Sequence, residues 1–296
     1  MIDFRLTETD RAQLDRTRAE AVIARRYARE FDENELEMIP DDLPEAEEFY
    51  ANTGPVPTSG ADDTNGVVMM LLQAMGQFWG DYSVRLKRAT KGGLGNAALS
   101  AAGTEEQNEE WGGLLLSMAI TEPGCGSDPS RVSTTAVLDE ATNEWILNGE
   151  KIFVTTGIRA TGVVIWATID KSAGRAGIKS FLVEKGTPGF NVPHKEKKLG
   201  IRADDTAAYV FTDCRIPRAN LLGLDESIPK ASSGGFRGVM KTFNMTRPAT
   251  AAMGLGIAEA AIDFTREALE SEGIVFDYTS GPGGLGCLSA AAEKFM

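Results

Sequence analysis

One histidine, three cysteines and no long apolar run are what this chain of 296 residues has least of, and each scarcity excludes a class of function. His194 stands alone, so every metal centre that needs two imidazoles is excluded, and only one Ser/His or Cys/His pairing is possible. No metal site is expected. Cys125, Cys214 and Cys287 are odd in number, far apart and never arranged C-x-x-C, which suits reduced thiols of a cytosolic protein rather than a disulfide framework. No apolar run approaches the roughly 20 residues that a membrane-spanning helix needs. The start, Met1-Ile2-Asp3-Phe4-Arg5, lacks a basic segment followed by an apolar one, so a cytoplasmic location is expected. Basic residues are few: 30 Lys and Arg against 43 Asp and Glu give a net charge of −13, with no Lys/Arg block to track a nucleic-acid backbone. What remains, 42% hydrophobic and 25% charged, describes a globular chain long enough for two or three domains.

Three textures follow one another. From Thr7 to about Glu33 the chain is charged and Ala-rich, with Thr7 and Asp10 placed as a capping box and Leu14, Ala21 and Ala28 along one stripe, which predicts an amphipathic helix. The turn-forming stretch from Asn52 to Gly66 predicts a surface loop. A second helix is expected after it, because Val67, Met70, Leu71, Ala74, Met75 and Phe78 share one face and Val68, Met69 and Leu72 make the other apolar too; such a helix should be buried all round. Gly92-Gly-Leu-Gly95 has neither a preceding strand nor G-x-G-x-x-G spacing, so it is no nucleotide loop. Beyond Leu114 come short β-branched and aromatic runs at 132–138, 145–147, 151–156, 163–169, 180–183 and 207–212, an all-β pattern of barrel or sandwich type. Asn148-Gly149 between two of them predicts a hairpin turn. From about Ser232 to Leu269 the texture is helical again. Pro248 is the one expected kink, and Ala252, Gly256 and Ala260 form a small-residue face. Leu288 to Met296 looks like the opening of one more helix, and the carboxyl end reads as cut short. The fold class is therefore α+β and multidomain: a helical domain over 1–117, a β domain over 118–228 and part of a helical bundle over 229–296.

The most unusual segment is Met118-Ala-Ile-Thr-Glu-Pro-Gly-Cys-Gly-Ser-Asp128, where an apolar run breaks into a loop whose residues leave backbone N–H groups free or exposed. Such a loop can bind an electron-rich or anionic group, or it can simply be a turn at a domain junction. Pro129 and the β-patterned residues after it exclude a Rossmann loop. Glu122 reads as an acceptor that locks the loop rather than as a base.

Thr121-Glu-Pro-Gly-Cys-Gly-Ser-Asp128 resembles the signature of the acyl-CoA dehydrogenase family, and the neighbouring motifs agree. Asn148-Gly-Glu-Lys-Ile-Phe-Val-Thr-Thr-Gly157 resembles that family's second flavin segment. Lys198-Leu-Gly-Ile-Arg202, Phe211-Thr-Asp-Cys-Arg-Ile-Pro217, Asn220-Leu-Leu-Gly223 and Thr246-Arg-Pro-Ala-Thr-Ala-Ala-Met-Gly254 follow in the family's order. The resemblance implies a helical, a β and a second helical domain, FAD as cofactor, α,β-desaturation of an acyl-CoA thioester, and electron transfer to an electron-transfer flavoprotein, in an oligomer.

Carried over by residue, the resemblance implies that Met118, Ile120, Thr121, Gly126 and Ser127 line the flavin together with Phe153, Val154 and Thr155. Ser127, Asn244 and Arg247 would meet the acyl-CoA. Three departures stand out. Thr246 occupies a position where some relatives carry the catalytic glutamate, and a hydroxyl cannot remove an α proton as a carboxylate does, so the base is unassigned. The family's R-x-x-F-G element is replaced by Glu270-Ser-Glu-Gly-Ile-Val-Phe276, and the last helical domain is about half present. Two alternatives therefore stay open beside the enzyme: a non-catalytic flavin- or acyl-CoA-binding subunit whose partner chain supplies the base, and a degenerate fragment.

Overall fold

The computed structural model describes residues 7–37, 64–81, 93–228 and 235–273, and for 64–67 and 235–246 the backbone only. The described residues belong to two compact units, one drawn from Met1–Arg26, Pro44–Tyr82 and Pro248–Met296, the other from Tyr27–Leu43 and Ser83–Arg247.

The first unit is helical. Helix α1, Glu8–Glu33, starts at the expected capping box: the Asp10 amide donates to Thr7 Oγ1 (3.1 Å) and the Thr7 amide to Asp10 Oδ2 (2.8 Å). As far as Arg26, where this unit ends, its buried stripe runs through Asp10, Gln13, Thr17, Ala21 and Ala24, while Leu14 is only half-buried. Helix α2, Thr64–Trp79, takes in the last three residues of the stretch expected to be loop. It is not buried all round, because Met70 is 41% exposed while Met69, Ala74, Phe78 and Trp79 lie inside. Close backbone approach explains the glycines here: a Cβ on Gly80 would sit 2.3 Å from the Ala21 carbonyl oxygen, and one on Gly256 would sit 2.1 Å from that of Met75. Gly256 belongs to α5, Gly235–Ser271, so the small-residue face meets a helix of its own unit. The hub of this unit is Trp79, which lies under the guanidinium groups of Arg18 (3.5 Å) and Arg25 (4.4 Å) and donates its indole N–H to Asp263 (2.8 Å). Pro248 lies inside α5, as placed from the sequence.

The second unit is built on one curled seven-stranded sheet. Two short helices, α3 (Leu94–Ala102) and α4 (Glu105–Trp111), precede it, with Gly93 as the cap of α3. The strands are β1 Leu116–Ala119, β2 Thr135–Asp139, β3 Glu144–Val154, β4 Gly162–Thr168, β5 Ile178–Glu184, β6 Phe190–Asn191 and β7 Ala207–Pro217. They run in the order β1-β4-β2-β3-β7-β6, with β5 also paired to β4. Every residue of β4 is buried, and the alternation of side chains explains why. Val163, Ile165 and Ala167 enter one core with Trp145, Leu147, Phe181 and Tyr209, while Val164 and Trp166 enter another with Ala98, Leu99, Trp111 and Leu116.

The hairpin expected at Asn148-Gly149 is not there: β3 runs straight through it. The step from Leu147 to Gly149 on β3 is matched by Cys214 to Phe211 on β7, so β7 carries the extra residue and bulges. Asn148 spans the bulge, accepting from the Asp213 amide (2.8 Å) and donating to Asp213 Oδ1 (3.1 Å). Gly149 has φ +151, and a Cβ there would lie 2.4 Å from Thr134 Oγ1, so glycine is required by tertiary contact and not by a turn. The run at 132–138 also becomes strand later than its composition suggests, because Ser133 and Thr134 turn their amides to Glu122. Cys287 and residues 288–296 lie outside the described residues, as does most of the expected loop at 52–66. No described helix is long and apolar enough to cross a membrane, and among the described residues no three His, Cys, Asp or Glu side chains cluster as metal ligands.

Candidate functional site

Strand β1 delivers the chain into the loop at 120–128, which lies beside the far end of β3. The Ile152 amide donates to the Thr121 carbonyl (2.9 Å), which brings the two sequence motifs together. The loop closes on itself at once: the amides of Glu122 and Cys125 donate to each other's carbonyls (2.8 and 3.0 Å) around Pro123-Gly124, with proline at the second turn position.

Glu122 is the anchor, as the acceptor role expected of it requires. Oε2 accepts from the Ser133 amide (2.7 Å) and hydroxyl (2.6 Å), and Oε1 accepts from the Thr134 amide (3.0 Å), the Thr134 hydroxyl (2.6 Å) and Lys151 Nζ (2.7 Å). The two side chains are 2% and 0% exposed. Burial opposes the charge on Glu122, but the neighbouring Lys151 charge and the hydrogen bonds from Lys151, Ser133 and Thr134 override it and hold the carboxyl down at about 2. Burial draws the Lys151 ammonium down to about 8 against the pull of Glu122.

Past the anchor the loop opens. Gly124, Gly126, Ser127 and Asp128 are exposed, and nothing lies within 4 Å of where a Cβ would stand on Gly124 or Gly126. Cys125 is the exception, tucked inward with Sγ on the Asp128 carbonyl (3.2 Å) and its thiol pushed up chiefly by burial.

The facing wall is the end of β3. Between Lys151 and Val154 the strand carries one residue more than β7, and the excess is expelled as Phe153, whose φ is +58 and whose side chain is 61% exposed. A left-handed aromatic residue is uncommon, and one held outward on a strand end is strain of the kind found at binding sites. The turn after it is held from beneath. Asp205 accepts from the amides of Ile158 (3.0 Å) and Arg159 (2.8 Å) and from Arg159 Nε (2.9 Å), while buried Tyr209 donates to the Gly157 carbonyl (2.8 Å) and contacts Ser117 Oγ (2.9 Å).

The expected flavin residues thus divide in two. Met118 and Thr121 are half-buried, Gly126, Ser127 and Phe153 are exposed, and Thr155 is half-buried; Ile120 and Val154 are buried and belong to the two cores. The side chains of Asn244 and Thr246 lie outside the described residues, and Arg247 is exposed on α5. The parts of Lys151, Thr134 and Asp205 were not assigned from sequence. One signal was present: Trp145, Leu147 and Lys151 share the inward parity of β3, and a lysine on a buried face calls for a buried acceptor.

The described site is thus a glycine-rich loop with an exposed aromatic residue at the neighbouring strand end, on a curled sheet. Residues 117–214 match the family model "Acyl-CoA dehydrogenase, middle domain". The chain is 42% identical over 174 residues to acryloyl-CoA reductase (NADH) of Anaerotignum propionicum, covering 57% of this chain but 42% of that protein. It is 33% identical over 267 residues to the short-chain specific acyl-CoA dehydrogenase of Clostridium acetobutylicum, covering 83% of this chain and 67% of that one. Among solved structures, glutaryl-CoA dehydrogenase of Mycobacterium smegmatis in complex with FADH2 superposes with a TM-score of 0.71 at 26% identity, over 90% of this chain and 66% of that chain. The chain belongs to the acyl-CoA dehydrogenase family. It spans less than half the length of the first of these relatives.

Proposed function

We propose that this chain binds FAD along residues 118–127 and 153–155 and takes part in the α,β-desaturation of an acyl-CoA thioester, with the electrons passing to an electron-transfer flavoprotein. The observation that carries the reading is Phe153, an exposed aromatic ring in left-handed backbone beside a loop whose glycines leave open space. A planar ring system fits such a wall, since an aromatic side chain offers both area and stacking. Bound there, FAD supplies the hydride acceptor, and the chain's own task is alignment and polarisation. Thr121 and the loop amides would hydrogen-bond the polar edge of the ring, Phe153 and Thr155 would cover it and exclude water, and Ser127, Asn244 and Arg247 would hold the thioester ligand, Arg247 by charge-assisted bonds. Thr246 supplies no carboxylate, so turnover requires a base from another residue or from a partner chain. An oligomer and the division into helical, β and helical domains at 117/118 and 228/229 belong to the same proposal.

The similarity to a named reductase favours a second direction for the same alignment, reduction of an enoyl-CoA. The test is an absorbance spectrum of the purified chain with added FAD, followed by anaerobic addition of a panel of acyl-CoAs. Bleaching of the long-wavelength flavin band establishes oxidation, and recovery of that band when enoyl-CoA is added to the chemically reduced protein establishes the reductive direction. A bound flavin that bleaches only when a second chain is supplied establishes the partner-dependent subunit. A folded chain that retains no flavin overturns the proposal.

A further inference from the structure

We infer that the two motifs, 121–125 and 148–151, are halves of one latch in which Lys151 and Glu122 act as positioning residues for the flavin-facing backbone. The inference rests on the reading of residues 118–127 and 153–155 as a flavin site. Three residues of the second motif, Asn148, Gly149 and Lys151, support the first directly or through a neighbour. Asn148 clamps the β7 bulge through Asp213 and so keeps β3 continuous past it. Gly149 has no side chain, and this leaves room for Thr134, whose hydroxyl then reaches Glu122 at 2.6 Å. Glu150 faces solvent. Lys151 passes under the loop and donates to both Glu122 (2.7 Å) and the Ile120 carbonyl (3.1 Å). With the Ile152 amide on the Thr121 carbonyl, the carbonyls of residues 120 and 121 and the side chain of 122 all take hydrogen bonds from residues 151 and 152. Both peptide planes that flank Thr121 are therefore fixed from behind, and its polar groups are aimed without contribution from a ligand. That is preorganisation: the loop does not have to be ordered when the cofactor arrives. A brace that served stability alone would gain little from buried charge, since well-packed apolar residues of similar volume do as well or better.

The test uses mild variants of the full chain, Thr134→Val and its conservative counterpart Thr134→Ser, beside Lys151→Met. Two readouts are taken from each folded variant: amide hydrogen exchange at residues 120–125 without flavin, and the affinity and band shape of bound FAD. Losing one hydroxyl from a buried anchor should speed exchange at 120–125 and weaken FAD by about tenfold in Thr134→Val, with Thr134→Ser close to wild type. Lys151→Met should exceed both effects, and Thr134→Val should add little to it, because the two act through one carboxylate. Unchanged exchange at 120–125 overturns the latch. Faster exchange with unchanged FAD affinity and spectrum overturns the positioning role and leaves a brace. A wild-type chain that binds no FAD overturns the reading of the site, and the inference with it, which exchange at 120–125 distinguishes from failure of the latch itself.

Discussion

The loop that follows β1 has two halves that differ in almost every physical respect. Residues 120–122 are held by the ammonium of Lys151, the Ile152 amide and the amides and hydroxyls of Ser133 and Thr134, and Glu122 is 3% exposed. Residues 124 and 126–128 are exposed, and their two glycines have nothing within 4 Å of an added Cβ. The chain spends buried charge on one half and leaves the other bare. What the contrast teaches is that rigidity and access are separated by two or three residues: the anchored half is fixed in direction, and the open half leaves its backbone exposed. The end of β3 repeats the arrangement, with Lys151 and Val154 buried on either side of Phe153, which is turned outward.

The contrast is broken most severely at the ammonium. Lys151→Met leaves the Glu122 carboxylate buried without its cation, a loss of about 3–5 kcal/mol, and urea unfolding should show the midpoint falling accordingly. Acid acts on the same half. The Glu122 carboxyl lies near 2 in the folded protein against an ordinary 4.5, so its stabilisation is complete above 4.5 and is lost as pH falls towards 2. Chemical unfolding at a series of pH values should show a decline over that window of about 3 kcal/mol, absent from Glu122→Gln. The smallest effect belongs to the open half: Gly126→Ala meets no neighbour and should leave stability within about 0.5 kcal/mol, while weakening FAD where the cofactor approaches the backbone.

Much of this was legible beforehand, and the limits are instructive. The capping box at Thr7 and Asp10 and the sequence of helical and β textures could be read because each depends on residues close in sequence, and Glu122 could be read as an acceptor that locks its loop although its donors, Ser133, Thr134 and Lys151, lie far along the chain. Asn148-Gly149 misled because the dipeptide has turn propensity, yet here the asparagine bridges a bulge on the neighbouring strand and the glycine makes way for Thr134. Ser133 and Thr134 read as the start of a strand for a related reason. Their composition is β-like, but their hydrogen bonds go to a carboxylate 11 or 12 positions earlier, which no local pattern records. The parity of Lys151 on β3 was the one clue to that long-range bond. The bulge that expels Phe153 has no local signal, because it is set by the pairing of β3 with β7.

The central claim is that Phe153 and the open loop form a flavin-binding wall, and a titration of FAD into the purified chain and into Phe153→Ala tests it most directly. Phe153 is exposed, so its removal should leave the unfolding midpoint nearly unchanged. Losing a stacking contact of about 1–1.5 kcal/mol should then weaken saturable FAD binding by about tenfold. FAD binding of equal strength in both proteins, with their stability matched, would contradict the account.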